Sequence, residues 1–183
     1  MHPIVVIGGS AGGFVPIRRI IAALPVPCSA SIFAVLHIGN RPSSLPDLLR
    51  QPGGLPVEFA RDGDLIEAGH VYVAPPDYHV LLAADHIRLD QGPKVHFTRP
   101  AVDPLFISAA HHHGGRVIGI VLSGGDGDGA AGLRAVSQHG GVAIIQRPDD
   151  SQIPAMPLAA LAADAPISLS PDEIGRRIAE ACC

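Results

Sequence analysis

The chain contains no tryptophan, and its 183 residues include only 2 tyrosines and 5 phenylalanines. A core with so few rings has to be built from Ala, Val, Ile and Leu. Cysteine is equally scarce, with Cys28, Cys182 and Cys183 the only examples. An odd set makes a poor disulfide framework, so the adjacent C-terminal pair is expected to be reduced and exposed, and the setting cytoplasmic. Charge is sparse too: 16% of residues are charged and the net charge is -4. The longest cationic runs are the pairs Arg18-Arg19 and Arg176-Arg177, which is no footprint for nucleic acid. No apolar run reaches the roughly 18 residues of a membrane helix, so no membrane insertion is expected. Met1-His2-Pro3 leads straight into a strand-like segment, without the charged and apolar leader of a secretory signal.

Hydrophobic residues are plentiful, at 47%. That suffices for an ordinary core and argues against disorder. The length suits one domain spanning 1-183, with no internal repeat and no linker-like shift in composition. Gly (21) and Pro (18) are abundant, and they fall at segment junctions, as turns of a compact fold do.

Short β-branched runs alternate with amphipathic segments. Strands are expected at 4–7, 31–36, 57–59, 71–74, 117–122 and 142–145, with a hairpin formed by 78–82 and 86–89. Helices are expected at 15–24, 43–50, 103–113, 130–139, 157–163 and 171–181. Continuous apolar strands interleaved with helices imply an α/β fold. The expected sheet is mostly parallel, doubly wound and Rossmann-like, in three layers, with the hairpin as an antiparallel addition at one edge.

In such a sheet the functional side chains gather at the carboxyl ends of the strands. Gly8-Gly9-Ser10-Ala11-Gly12-Gly13 follows the first strand and fits the G-x-S-x-G nucleophile elbow. Ser10 is then a candidate nucleophile, and the next helix could direct free N–H groups at an oxyanion. A phosphate-binding loop is the rival reading, but neither of its strict fingerprints is met. An inert tight turn is the third. His37 ends the second strand at the same sheet edge, where a serine nucleophile needs a base. Leu122-Ser123-Gly124-Gly125-Asp126-Gly127-Asp128-Gly129 offers two carboxylates that could orient that histidine. This loop lacks the ligand spacing of an EF-hand. His111-His112-His113 invites a zinc reading, but consecutive helical residues point about 100° apart and cannot chelate one ion together. A partly exposed helix end is expected there.

Five ordered motifs bring a resemblance with them. They are Gly8 to Gly13, Val35-Leu36-His37, Gly69 to Pro75, Arg99 to Phe106, and Leu122 to Leu133, with a late Met156-Pro157. The sequence resembles the catalytic domain of CheB, the chemotaxis protein-glutamate methylesterase, over roughly Ile4 to Ala179. The resemblance implies a Ser-His-Asp triad of Ser10, His37 and Asp128. It implies hydrolysis of γ-methyl esters on glutamates of chemoreceptor cytoplasmic helices, with methanol released, and deamidation of certain receptor glutamines. It implies no metal and no organic cofactor. Oxyanion or substrate-binding candidates are Ala11, Gly12 and Gly125. The family usually has a methionine where this chain has Gly125, which alters the pocket there. It also usually carries an N-terminal receiver domain, for which this chain has no room, so control is expected from a separate regulatory protein, from localisation, or not at all.

Overall fold

The computed structural model describes residues 2–162 and 166–183. A seven-stranded sheet has the order β3-β4-β2-β1-β7-β8-β9, and every pairing in it is parallel. Its strands are β1 (Ile4–Gly9), β2 (Ser31–Leu36), β3 (Val57–Phe59), β4 (Val71–Val73), β7 (Val117–Val121), β8 (Val142–Gln146) and β9 (Ile167–Leu169). The helices are α1 (Phe14–Ala22), α2 (Leu45–Leu49), α3 (Val102–His113), α4 (Ala130–Gln138), α5 (Ala155–Ala160) and α6 (Pro171–Ala181).

The central strands are apolar throughout because both of their faces are covered. Along β1, Ile4 and Val6 enter a core shared with Phe106, Leu133 and Met156 beneath α3, α4 and α5. Val5 and Ile7 enter the opposite core, with Ile17 and Ile20 of α1 and Ile174 and Ile178 of α6. Rings contribute little, as the composition requires, although Phe33 and Tyr72 stack with centroids 5.1 Å apart. α6 starts on a capping box, in which Ser170 Oγ accepts from Glu173 N while the Glu173 carboxylate accepts from Ser170 N.

Several expectations need correction. The hairpin of β5 (His79–Leu82) and β6 (Ile87–Asp90) is a separate two-stranded sheet and not an edge of the main one. Val80, Leu82 and Ile87 are buried against the α3 side of the core, and Leu82 N donates to Ser108 Oγ of α3 at 3.0 Å. The outer strand β9 had no sequence signal, since Ile167 and Ser168 are exposed and only three residues pair. α5 starts and stops earlier than expected, and the expected end at Ala163 lies outside the described residues, as does Met1. Cys28 and Cys182 form a disulfide, and only Cys183 is free and exposed. Residues 154 apart in sequence meet because the end of α6 packs beside the approach to β2. In the histidine run, His111 and His112 are exposed, but His113 is buried and its Nε2 meets Ala83 O at 3.0 Å. Among the described residues no helix is long and apolar enough to cross a membrane.

Candidate active site

The chain runs outward from β1 in both directions: through α1 to β2 on one side, and through α4 from β7 to β8 on the other. The topological switch point therefore lies at the carboxyl ends of β1 and β7, where a crevice opens. Ser10 follows β1, His37 follows the neighbouring β2, and the Ser123–Asp128 loop follows β7. Ser10 and His37 line one open cleft of about 630 Å³, with Phe14, Ile38, Leu45 and Leu48 forming an apolar wall.

The Ser10 turn is held from both sides. Ser10 N donates to Ser123 O at 2.9 Å, and Gly13 N donates to Ser10 O at 2.8 Å. The left-handed residue is Gly12 (φ +77°), and Ser10 is not among the side-chain-bearing residues with positive φ. This is a departure from the strained elbow that the G-x-S-x-G spacing suggested. A β-carbon on Gly12 would also sit 2.6 Å from Ser123 Oγ, so the position is closed to larger residues twice over.

Ser123 is the organising residue that sequence reasoning passed over. It is fully buried. Its hydroxyl lies 2.8 Å from Ala11 O and 3.1 Å from Ile153 O as donor, and accepts from Ile153 N at 2.9 Å. Its N–H is fixed by the buried Gln146 side chain, whose Oε1 lies 3.0 Å away. One small hydroxyl thus fastens the Ser10 turn to the β7–α4 loop and to the segment before α5. Burial and full hydrogen bonding also leave Ser123 unfit as a nucleophile. The one sequence signal was its place at the end of a doubly buried strand, which is shared by many inert serines.

His37 reaches the buried Asp128 through Nε2, at 2.7 Å from Oδ2. Asp126, a third exposed, lies 3.4 Å from His37 Nδ1. Nδ1 is therefore the ring nitrogen that Asp128 does not engage, and it faces Asp126. Among the described residues the Ser10 and His37 side chains share no hydrogen bond. Such contacts are often loose without substrate and close in the complex.

Asp128 caps the N-terminus of α3 and not that of α4, the helix that follows it in sequence. Its Oδ2 accepts from Val102 N at 2.6 Å and its Oδ1 from Asp103 N at 2.9 Å, the first N–H groups of α3. Burial acts most strongly on its pKa and in the upward direction. The hydrogen bonds from His37, Val102 and Asp103 together outweigh it and hold the carboxyl below its ordinary value. α3 comes this close because Gly8, near the end of β1, has no side chain, and a β-carbon there would strike Val102 Cγ1 at 2.3 Å.

Ala11 is exposed and Gly12 half-buried in the Ser10 turn, and Gly125 in the loop after β7 is exposed. Gly124 touches Ser10, since a β-carbon on Gly124 would lie 3.0 Å from Ser10 Cβ and only 1.9 Å from Met156 Sδ. Gly124 is pinned by its N–H to Ile153 O at 2.9 Å and by Met156 N to its carbonyl at 3.0 Å. The N–H of Ser10 is spent on Ser123. Among the described residues the N–H groups of Ala11 and Gly125 have no protein partner.

A model of the family described as CheB methylesterase matches residues 5–178. The chain belongs to the CheB methylesterase family. It is 36% identical over 161 residues to a protein of Leptospira interrogans named putative protein-glutamate methylesterase/protein-glutamine glutaminase, covering 87% of this chain and 83% of that one. It is 34% identical to protein-glutamate methylesterase/protein-glutamine glutaminase 1 of Cupriavidus pinatubonensis, covering 98% of this chain but 54% of that protein. The chain thus spans most of the first relative and about half of the second. The crystal structure of the Thermotoga maritima CheB methylesterase catalytic domain superposes with a TM-score of 0.93 at 32% identity, covering 98% of both chains.

Within this CheB fold, Gly125 opens space rather than blocking it. A β-carbon there would meet only Ile153 Cγ2, at 3.9 Å. The donor atoms of His96, Asp103 and Asp128 lie within 4.8 Å of one another, a spacing that a metal ion could bridge. Their oxygens are already occupied. Asp128 serves Val102, Asp103 and His37, while Asp103 takes Gly129 N at 3.0 Å, Gly132 N at 2.7 Å and His96 Nε2 at 3.0 Å. The cluster reads as hydrogen-bonded scaffolding.

Proposed function

We propose that this CheB-family chain is a serine hydrolase that removes γ-methyl esters from glutamates of chemoreceptor cytoplasmic helices and deamidates receptor glutamines. The observation that carries the reading is the buried Asp128 holding His37 at the mouth of the cleft that Ser10 enters. In this reading His37 Nδ1 takes the Ser10 proton as Oγ bonds to the ester carbonyl carbon. The carbonyl oxygen becomes an oxyanion, and Ala11 N and Gly125 N, with Gly12 between turn and helix, are its candidate donors. Collapse expels methoxide, which leaves as methanol with the proton from His37. Water activated by His37 then cleaves the acyl-enzyme to free glutamate. A glutamine follows the same path with ammonia as the leaving group. No metal or organic cofactor takes part. The substrate places the protein in the cytoplasm, a reading that no longer draws on the cysteines because Cys28 and Cys182 are bonded. Regulation by a separate protein belongs to the same reading.

The test is methanol release from methylated receptor fragments. The wild-type chain should release it and Ser10→Ala should not, while a fluorophosphonate probe labels Ser10 and spares Ser123. Probe label at Ser123, or unchanged release by Ser10→Ala, sinks the mechanism.

A further inference from the structure

Phe97 is 97% exposed, in a chain with few rings to spare. It sits at the tip of a tight turn closed by Val95 N to Thr98 O at 3.1 Å and Thr98 N to Val95 O at 3.0 Å. Both residues inside that turn are left-handed, His96 at φ 49° and Phe97 at φ 63°. Turns of this kind favour Asn and Gly, and side-chain-bearing residues persist there only where the surroundings over-determine them.

The surroundings do so on both flanks, and both anchors lead to the candidate active site. On one flank, His96 Nε2 meets Asp103 Oδ2 at 3.0 Å, and a His96 ring nitrogen lies within 4.8 Å of an Asp128 oxygen. On the other, Arg99 Nη2 donates to Asp77 Oδ1 at 2.6 Å, and Asp77 N donates to Gly39 O at 2.9 Å, just beyond His37. Asp77 precedes Tyr78, a second partly exposed ring at 36%. The fold therefore holds an apolar ring in water on a turn fastened to Asp103 beside the acid and, through Asp77, to Gly39 beyond His37. Phe97 is not among the residues lining the cleft, so it is placed to meet substrate atoms remote from the ester. Only a substrate much larger than the ester has such atoms, and contacts of that kind raise selectivity for it.

We propose that Phe97 is a specificity-determining contact that docks an apolar patch of the protein carrying the scissile ester. This inference rests on the methylesterase reading above. It is tested with Phe97→Ser and Phe97→Gly, the latter also relieving the left-handed backbone. Each is assayed on methylated receptor fragments and on p-nitrophenyl acetate. On the receptor, kcat/KM should fall about tenfold through KM, as loss of a buried ring predicts. The small ester should be hydrolysed within about twofold of wild type, and Phe97→Tyr should recover most of the loss. Receptor kcat/KM unchanged in both variants overturns the inference and leaves the methylesterase reading standing. An equal fall on both substrates also overturns it, by showing that the turn acts on the chemistry. Wild-type protein that cleaves the small ester but releases no methanol from receptors overturns both.

Discussion

Asp128 and Asp103 cap each other's helices. Asp128 closes the N-terminus of α3 through Val102 N and Asp103 N, and Asp103 closes the N-terminus of α4 through Gly129 N and Gly132 N. Neither helix has a side-chain cap from its own N-cap residue, which is Ala101 in one and Gly129 in the other. The candidate triad acid is thereby part of the joint between two helices.

That joint sets the outcome at the acid. Asp128→Asn places an amide NH₂ against donors, either His37 and Val102 N together or Asp103 N. Turnover should fall by ~10⁴-fold from the wrong histidine tautomer, and stability should fall by about 1–3 kcal/mol from the unmatched N–H. Asp126→Asn should keep most activity, because its Oδ1 can still accept from Asp128 N, now at 3.0 Å. Methanol-release kinetics and urea melts of both variants check this. Dead Asp126→Asn with active Asp128→Asn would move the role to Asp126.

At Asp103 the prediction concerns pH. Burial, opposed by the Gly132 N–H and aided by the charge of Asp128, raises its carboxyl above the ordinary value. The folded chain holds that proton to higher pH than the unfolded chain, so stability is lost as pH rises from the ordinary carboxylate range through the raised value. Asp128 acts in the opposite sense, since its lowered value contributes stability that is lost as pH falls through the acid range. Asp103→Asn keeps Oδ1 for Gly129 N and Gly132 N and removes the ionisation. Relative to wild type it should be more stable at pH 7 than at pH 3 by urea titration. A variant that loses ground as pH rises would refute this assignment.

Ser123→Ala should retain the fold at a cost of about 1–3 kcal/mol, because Ala11 O and Ile153 N lose their partner. The larger effect should be on kcat, which falls by roughly tenfold to a hundredfold as the Ser10 turn drifts. KM should change little, and the rate of fluorophosphonate labelling should drop in step with kcat. Labelling at the wild-type rate would show that the hydroxyl supports the fold alone.

The disulfide gives a chemical count. Under denaturing, non-reducing conditions a maleimide should label Cys183 only, and label all three cysteines after reduction. Reduction should also lower Tm, since a bond between residues 154 apart restricts a large unfolded loop and contributes up to about 4–5 kcal/mol in the chain-entropy model. Mass spectrometry and a thermal melt in reductant test both points.

Much of this molecule is legible along the chain, for local reasons. Ile4–Ile7 and Val117–Val121 read as doubly buried parallel strands because covered faces demand unbroken apolar runs. Ser10 and His37 could be picked out because each stands where such a run ends, and parallel strands deliver their carboxyl ends to one edge. What sequence left hidden depends on partners far along the chain. Asp128 meets Val102 and Asp103 only because α3 lies against Gly8. The Ser123 hydroxyl acquires its task only when Ala11 and Ile153 arrive from other loops. β9 exists by pairing with β8 rather than by its own pattern, and Cys28 finds Cys182 because α6 ends beside it. Periodicity and turn chemistry are properties of neighbouring residues, so the chain alone determines them. Reciprocal caps, hydroxyl braces and cross-links are matters of distance in space, and these came only with the packing of the helices on the sheet.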